Sequence, residues 1–94
     1  MTIIRCETGD DVEVAGDSLV GADLSDQNLH RALLEDANLQ GANLSRSTLR
    51  SARLDRANLE GAILVQTNFV AAEARGANFT AANLSGALLK KCRI

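Results

Sequence analysis

Ala37-Asn38-Leu39-Gln40-Gly41 is followed directly by Ala42-Asn43-Leu44-Ser45-Arg46, and the same five-residue frame continues in both directions without a dropped or added residue. Its central position holds Leu19, Leu24, Leu29, Leu34, Leu39, Leu44, Leu49, Leu54, Leu59 and Leu64, then Phe69, Ala74, Phe79, Leu84, Leu89 and Ile94. An α-helix turns about 100° per residue, so residues five apart diverge by roughly 140° and leave no apolar stripe. A straight strand alternates faces with period two, so an odd spacing sends successive leucines to opposite sides. The frame buries its leucines together only if the chain turns a corner after each short extended piece. The central residue and the residue two before it then share the inner side, and the rest point outward or form the corner.

The glycines agree with the corners. Gly16, Gly21, Gly41, Gly61, Gly76 and Gly86 each fall two residues after a central position, where a type II turn requires positive φ. Repeats carrying Asp26, Arg31, Asp36, Arg46, Ser51 or Arg56 there are expected to use a different turn geometry. The small inner position is Ala in eleven repeats between Ala22 and Ala87 and polar in three, Gln27, Ser47 and Thr67, which are spaced by twenty. Twenty residues are four repeats, so the coil is four-sided. Stacked coils put these three polar residues in one column at about 4.8 Å steps, close enough to bond each other or the corner backbone.

The repeats Ala22-Asp23-Leu24-Ser25-Asp26, Ala42-Asn43-Leu44-Ser45-Arg46, Ala57-Asn58-Leu59-Glu60-Gly61 and Ala82-Asn83-Leu84-Ser85-Gly86 resemble the motif of the pentapeptide-repeat family. The resemblance covers about residues 12–94. It implies an all-β fold, a right-handed quadrilateral parallel β-helix of about four coils. The expected organisation is an N-terminal cap strand and turn over 1–11, followed by the β-helix over 12–94. Thr2-Ile3-Ile4-Arg5-Cys6-Glu7 reads as the strand and Gly9-Asp10-Asp11 as the turn, placed to cover the first coil's open edge.

Composition narrows the function. The 94 residues suffice for one small domain. Aromatics are 2% with no Trp or Tyr, and the net charge is −2, which disfavours base stacking and polyanion binding. The chain lacks a signal-peptide pattern, so a cytoplasmic location is expected. Cys6 and Cys92 sit near opposite ends of the chain and are read as unpaired. With one histidine they make no zinc set, and no cofactor is expected. No Ser-His-Asp, Cys-His or paired-carboxylate arrangement stands out, so the chain is read as no enzyme.

Four departures from the repeat point elsewhere. Ala74 stands where a leucine belongs, flanked in frame by Phe69 and Phe79, whose extra volume is expected to fill the space. Ile63, Val65 and Val70 are outward apolar residues of one coil and form a candidate protein-contact patch. The frame runs to Ile94 without a cap, making Leu88, Leu89, Cys92 and Ile94 a candidate end-to-end homodimer surface. His30, Arg31, Arg50, Lys90 and Lys91 are expected to share one side as a basic stripe. Charge is polar along the chain: residues 1–47 carry three Lys/Arg and nine Asp/Glu, a net of −6, and residues 48–94 carry seven and three, a net of +4.

The reading from these features is a non-enzymatic interaction module, a rigid β-helical rod whose flat faces bind an unknown protein partner, with no membrane or nucleic-acid role expected. The family resemblance offers an alternative, a DNA-mimicking protector or inhibitor of DNA gyrase.

Overall fold

The computed structural model covers residues 1–94 and contains no α-helix. From Leu19 onward every repeat is a short extended piece followed by a corner, and residues twenty apart pair in parallel. Asp23 pairs with Asn43, Asn43 with Ile63, and Ile63 with Asn83. This column defines the first face. The second runs Asn28, Thr48, Asn68, Leu88, the third Leu33, Arg53, Glu73, Arg93, and the fourth Asn38, Asn58, Asn78. The coil is therefore four-sided, with twenty residues per turn.

Within the middle coils, a repeat with Asn before its central residue disposes of all five of its backbone N–H groups. In the repeat around Leu44, the Leu44 and Arg46 N–H groups donate to Ile63 and Val65 carbonyls of the next coil at 2.8 and 2.9 Å. Asn43 N–H donates back to Ala22 O at 2.9 Å, and Ser47 N–H closes the corner on Leu44 O at 3.1 Å. That leaves Ser45 N–H, which the Asn43 carboxamide accepts at 3.0 Å. Asn38, Asn58, Asn78 and Asn83 do the same for the residue two ahead. The frequent Asn before each leucine is thus an Asx turn that takes up the one amide the ladder leaves free.

The corners correct one expectation. The third corner residue has positive φ in every repeat, at Asp26 (56°), Arg31 (59°), Asp36 (60°), Arg46 (61°), Ser51 (58°) and Arg56 (61°) as at Gly41 (68°). The residue before it never does, so all corners have type II character. Inter-coil bonds fix the geometry whichever residue occupies it, as when Arg46 N–H donates to Val65 O.

The leucines and alanines of the inner positions fill the interior completely in the middle coils. Phe69 and Phe79 belong to opposite sides of the same coil, the second and fourth. Their rings meet edge to face, with centroids 6.4 Å apart. Ala74, fully buried on the intervening side, leaves room for that contact, and no pocket opens beside it.

Strands β1 (Thr2–Ile4) and β2 (Val12–Val14) form an antiparallel hairpin across the residue 11/12 boundary, with Ile3 opposite Glu13. Asp11 ties its loop by accepting Cys6 N–H at 2.9 Å. The chain after β1 then lies antiparallel on the first coil. Cys6 pairs with Ala32, Leu33 N–H donates to Arg5 O at 2.7 Å, and Glu7 N–H donates to Arg31 O at 3.0 Å. Ile4 and Cys6 are buried over the first leucines. With this cap the molecule measures 30 × 27 × 23 Å, a squat block rather than the elongated rod suggested by the repeat.

Candidate functional site

The polar column lies where the twenty-residue recurrence puts it, and it bonds to corners rather than to itself. Ser47 Oγ, buried, donates to Leu24 O and accepts Gln27 N–H at 2.9 Å. The hydroxyl thereby sits inside the Leu24–Gln27 corner and replaces its closing bond, which the neighbouring corners keep. Thr67 Oγ1 donates to Leu44 O at 2.7 Å. Gln27, in the first coil, is exposed and donates to Ser25 O at 3.3 Å. No buried side-chain polar atom lacks a partner, so this column is structural.

The outer corners carry ion pairs between successive coils. Arg46 holds both carboxylate oxygens of Asp26 at 2.9 and 3.0 Å, and Arg56 holds both of Asp36 at 2.8 and 3.1 Å. These guanidinium bonds hold the Asp26 and Asp36 carboxyls below the usual carboxylate range. Asp23 is also lowered, chiefly by the Ser25 hydroxyl. Arg53 reaches Glu7 of the cap at 3.2 Å across Leu33. Reading along the chain misses these pairs because the partners are 20 or 46 residues apart. The signal is present once the sequence is written in rows of twenty.

The basic stripe forms. His30, Arg31, Arg50, Lys90 and Lys91 all lie at the corner that closes the second face, and all but the half-buried His30 are exposed. None of them makes an ion pair. The structure places Ile63 and Val65 together, on the first face and its corner, while Val70 stands one side away at the corner of the second. Ile63 is 43% exposed, and Val65 and Val70 are half-buried.

Leu88, Leu89, Cys92 and Ile94 gather at the open end of the last coil. Leu89 is 38% and Ile94 68% exposed. The N–H groups of Phe79, Ala81, Leu84, Gly86, Leu89 and Lys91 make no hydrogen bond there, and the carbonyls of Ala77, Ala82 and Ala87 accept none. Cys6 and Cys92 are free thiols, each with its pKa pushed up by burial, and Cys6 further by Asp11 and Asp10. No pocket opens anywhere, and no three His, Cys, Asp or Glu side chains are set to hold a metal.

The sequence model of pentapeptide repeats, in eight copies, matches residues 18–56 and 52–90. The chain belongs to the pentapeptide-repeat family. Its coil is accordingly the right-handed quadrilateral β-helix of that family, a fold that is in general structural rather than enzymatic. Among solved structures it is similar to the pentapeptide-repeat protein Rfr23 of the cyanobacterium Cyanothece 51142, at 32% identity over 78% of this chain and 54% of that one, TM-score 0.49. It is also similar to alr5209 of Nostoc PCC 7120, at 32% identity over 74% and 62%, TM-score 0.49. HetL of the same Nostoc strain, a pentapeptide-repeat protein involved in heterocyst differentiation regulation, matches at 30% identity over 80% and 44%, TM-score 0.35. The chain spans about half the length of these relatives. No curated protein is similar to it at a significant level.

Proposed function

We propose that this pentapeptide-repeat protein is a non-enzymatic interaction module that binds other polypeptides, and that the open end of its last coil engages a second copy of itself. The observation that carries this reading is the uncovered edge. Six N–H donors and three carbonyl acceptors stand unpaired around exposed Leu89 and Ile94. An unpaired strand edge beside an apolar core is a template for another strand. Donors and acceptors occur on the same edge, so the surface is complementary to itself across a two-fold axis. The family's fold is in general structural rather than enzymatic, which supports reading the flat outer faces as contact surfaces.

Lys90, Lys91 and Arg93 rim this end, so a two-fold contact brings like charges together. The association should therefore tighten as salt screens them. Light scattering on size-exclusion fractions tests this. A dimer that grows with ionic strength and is lost in Leu89→Lys, with the β spectrum retained, is expected. A monomer at tens of micromolar in both low and high salt would overturn self-association. The gyrase reading has weaker support, because Asp26 and Asp36 are neutralised by Arg46 and Arg56 and an uninterrupted acidic surface is what phosphate mimicry requires.

A further inference from the structure

We propose that the second face, with the corner closing it, binds a short acidic polypeptide segment that has an apolar residue at its middle. This rests on the interaction-module reading and names the chemistry of one partner. Arg31, Arg50, Lys90 and Lys91 give the repeats of this face a charge of +4 with no carboxylate among them. Glu7 of the cap, whose N–H donates to Arg31 O, turns its carboxylate to Arg53 on the third face. Since the whole chain carries −2, the remainder carries −2 − 4 = −6. The basic residues are thus segregated across the molecule, and no carboxylate of this chain neutralises them.

Composition sets the same corner apart. Its third-residue column is Arg31, Ser51, Ala71 and Lys91, at φ of 58–62°, and it is the one corner column without a glycine. A side chain is disfavoured in this conformation. At Asp26, Arg46, Asp36 and Arg56 inter-coil ion pairs offset that cost. At Arg31 and Lys91 no ion pair in the chain does. The inter-coil ladder holds this corner as it holds the others, with Arg31 N–H donating to Arg50 O at 3.0 Å, and the Arg31 and Lys91 side chains are left exposed and unpaired.

The layout selects the partner. Arg31 and Arg50 occupy the first two coils, Lys90 and Lys91 the fourth, and Val70 with Ala71 fills the third. Three coil steps of about 4.8 Å separate the outer charges by about 14 Å, the reach of about four extended residues. A segment with carboxylates at both ends and a small apolar side chain between them matches that spacing. A long nucleic acid or an anionic membrane would also meet the −6 remainder of a molecule only 30 Å long, which repels them over about a Debye length.

Fluorescence anisotropy of a labelled peptide, with glutamate pairs flanking a leucine, tests the proposal. A labelled single-stranded oligonucleotide and phosphatidylserine vesicles run beside it. Peptide binding is expected to weaken with salt and to fall about three- to tenfold in Arg50→Glu, while Arg75→Glu on the third-face side leaves it unchanged. Arg31→Gly separates binding from folding: the melting temperature should rise by a few degrees as the strain is relieved, while peptide affinity drops. Absence of peptide binding at low salt, an equal loss in Arg75→Glu, or tighter binding of the oligonucleotide or vesicles would overturn the proposal. A monomer that still binds the peptide removes self-association alone, and a dimer that ignores the peptide removes this inference alone.

Discussion

At the scale of single residues, the inner polar column shows how one hydroxyl can substitute for a backbone bond. Ser47 Oγ bridges Gln27 N–H and Leu24 O, so Ser47→Ala leaves both without that partner. The buried Leu24 O accepts no other backbone bond, and orphaning it costs about 1–3 kcal/mol, whereas Gln27 N–H is only part-buried. Thr67 is placed differently. Its hydroxyl donates to Leu44 O, which also accepts Ser47 N–H at 3.1 Å. Thr67→Val keeps the shape and removes a second bond to an already satisfied carbonyl. We therefore expect urea unfolding to show a loss of about 2–3 kcal/mol for Ser47→Ala and about 1 kcal/mol or less for Thr67→Val. Equal losses would mean that the hydroxyls act only by filling space.

At the scale of a coil, the corner ion pairs make stability depend on acid. Asp26 and Asp36 bond to Arg46 and Arg56 in the folded protein, which lowers their pKa values. A carboxyl with a lowered folded pKa contributes stability that is present above its unfolded value, about 3.9, and is lost as pH falls through the folded one. The urea midpoint should therefore decline below about pH 4. The double variant Asp26→Asn, Asp36→Asn should decline less steeply, since Asn tolerates the positive φ of both corners. Identical pH profiles for the two proteins would show that the pairs are too solvent-screened to matter. These pairs also show what could be read in advance. The period of five and the twenty-residue spacing of Gln27, Ser47 and Thr67 suffice for the coil, because burial alone demands them. The basic stripe was legible for the same reason, as a consequence of the four-sided count. The corner conformation of Arg31 or Asp36 was not, since intrinsic preference argues against positive φ and only the inter-coil ladder overrides it. Nor was the role of Asn before each leucine, which appears once every amide of the repeat is accounted for.

At the scale of the molecule, the two ends are unlike. The N-terminal end is closed by the β1–β2 hairpin, with Ile4 and Cys6 buried over the first coil. The C-terminal end leaves Leu84 and Leu89 N–H groups without acceptors, beside partly exposed side chains. In a stack where each coil contacts only its neighbours, protection should follow position along the axis. Hydrogen exchange is therefore expected to be slowest at Leu44, Leu49, Leu54 and Leu59, whose N–H groups are bonded to the next coil around fully buried side chains. It should be fastest at Phe79, Leu84 and Leu89 in dilute protein. If the open end pairs with a second copy, protection at Leu84 and Leu89 must rise with protein concentration while that of Leu49 stays constant. Protection at those two amides that is independent of concentration and salt would place their cover within a single molecule, and the end-to-end contact would then have no edge left to use.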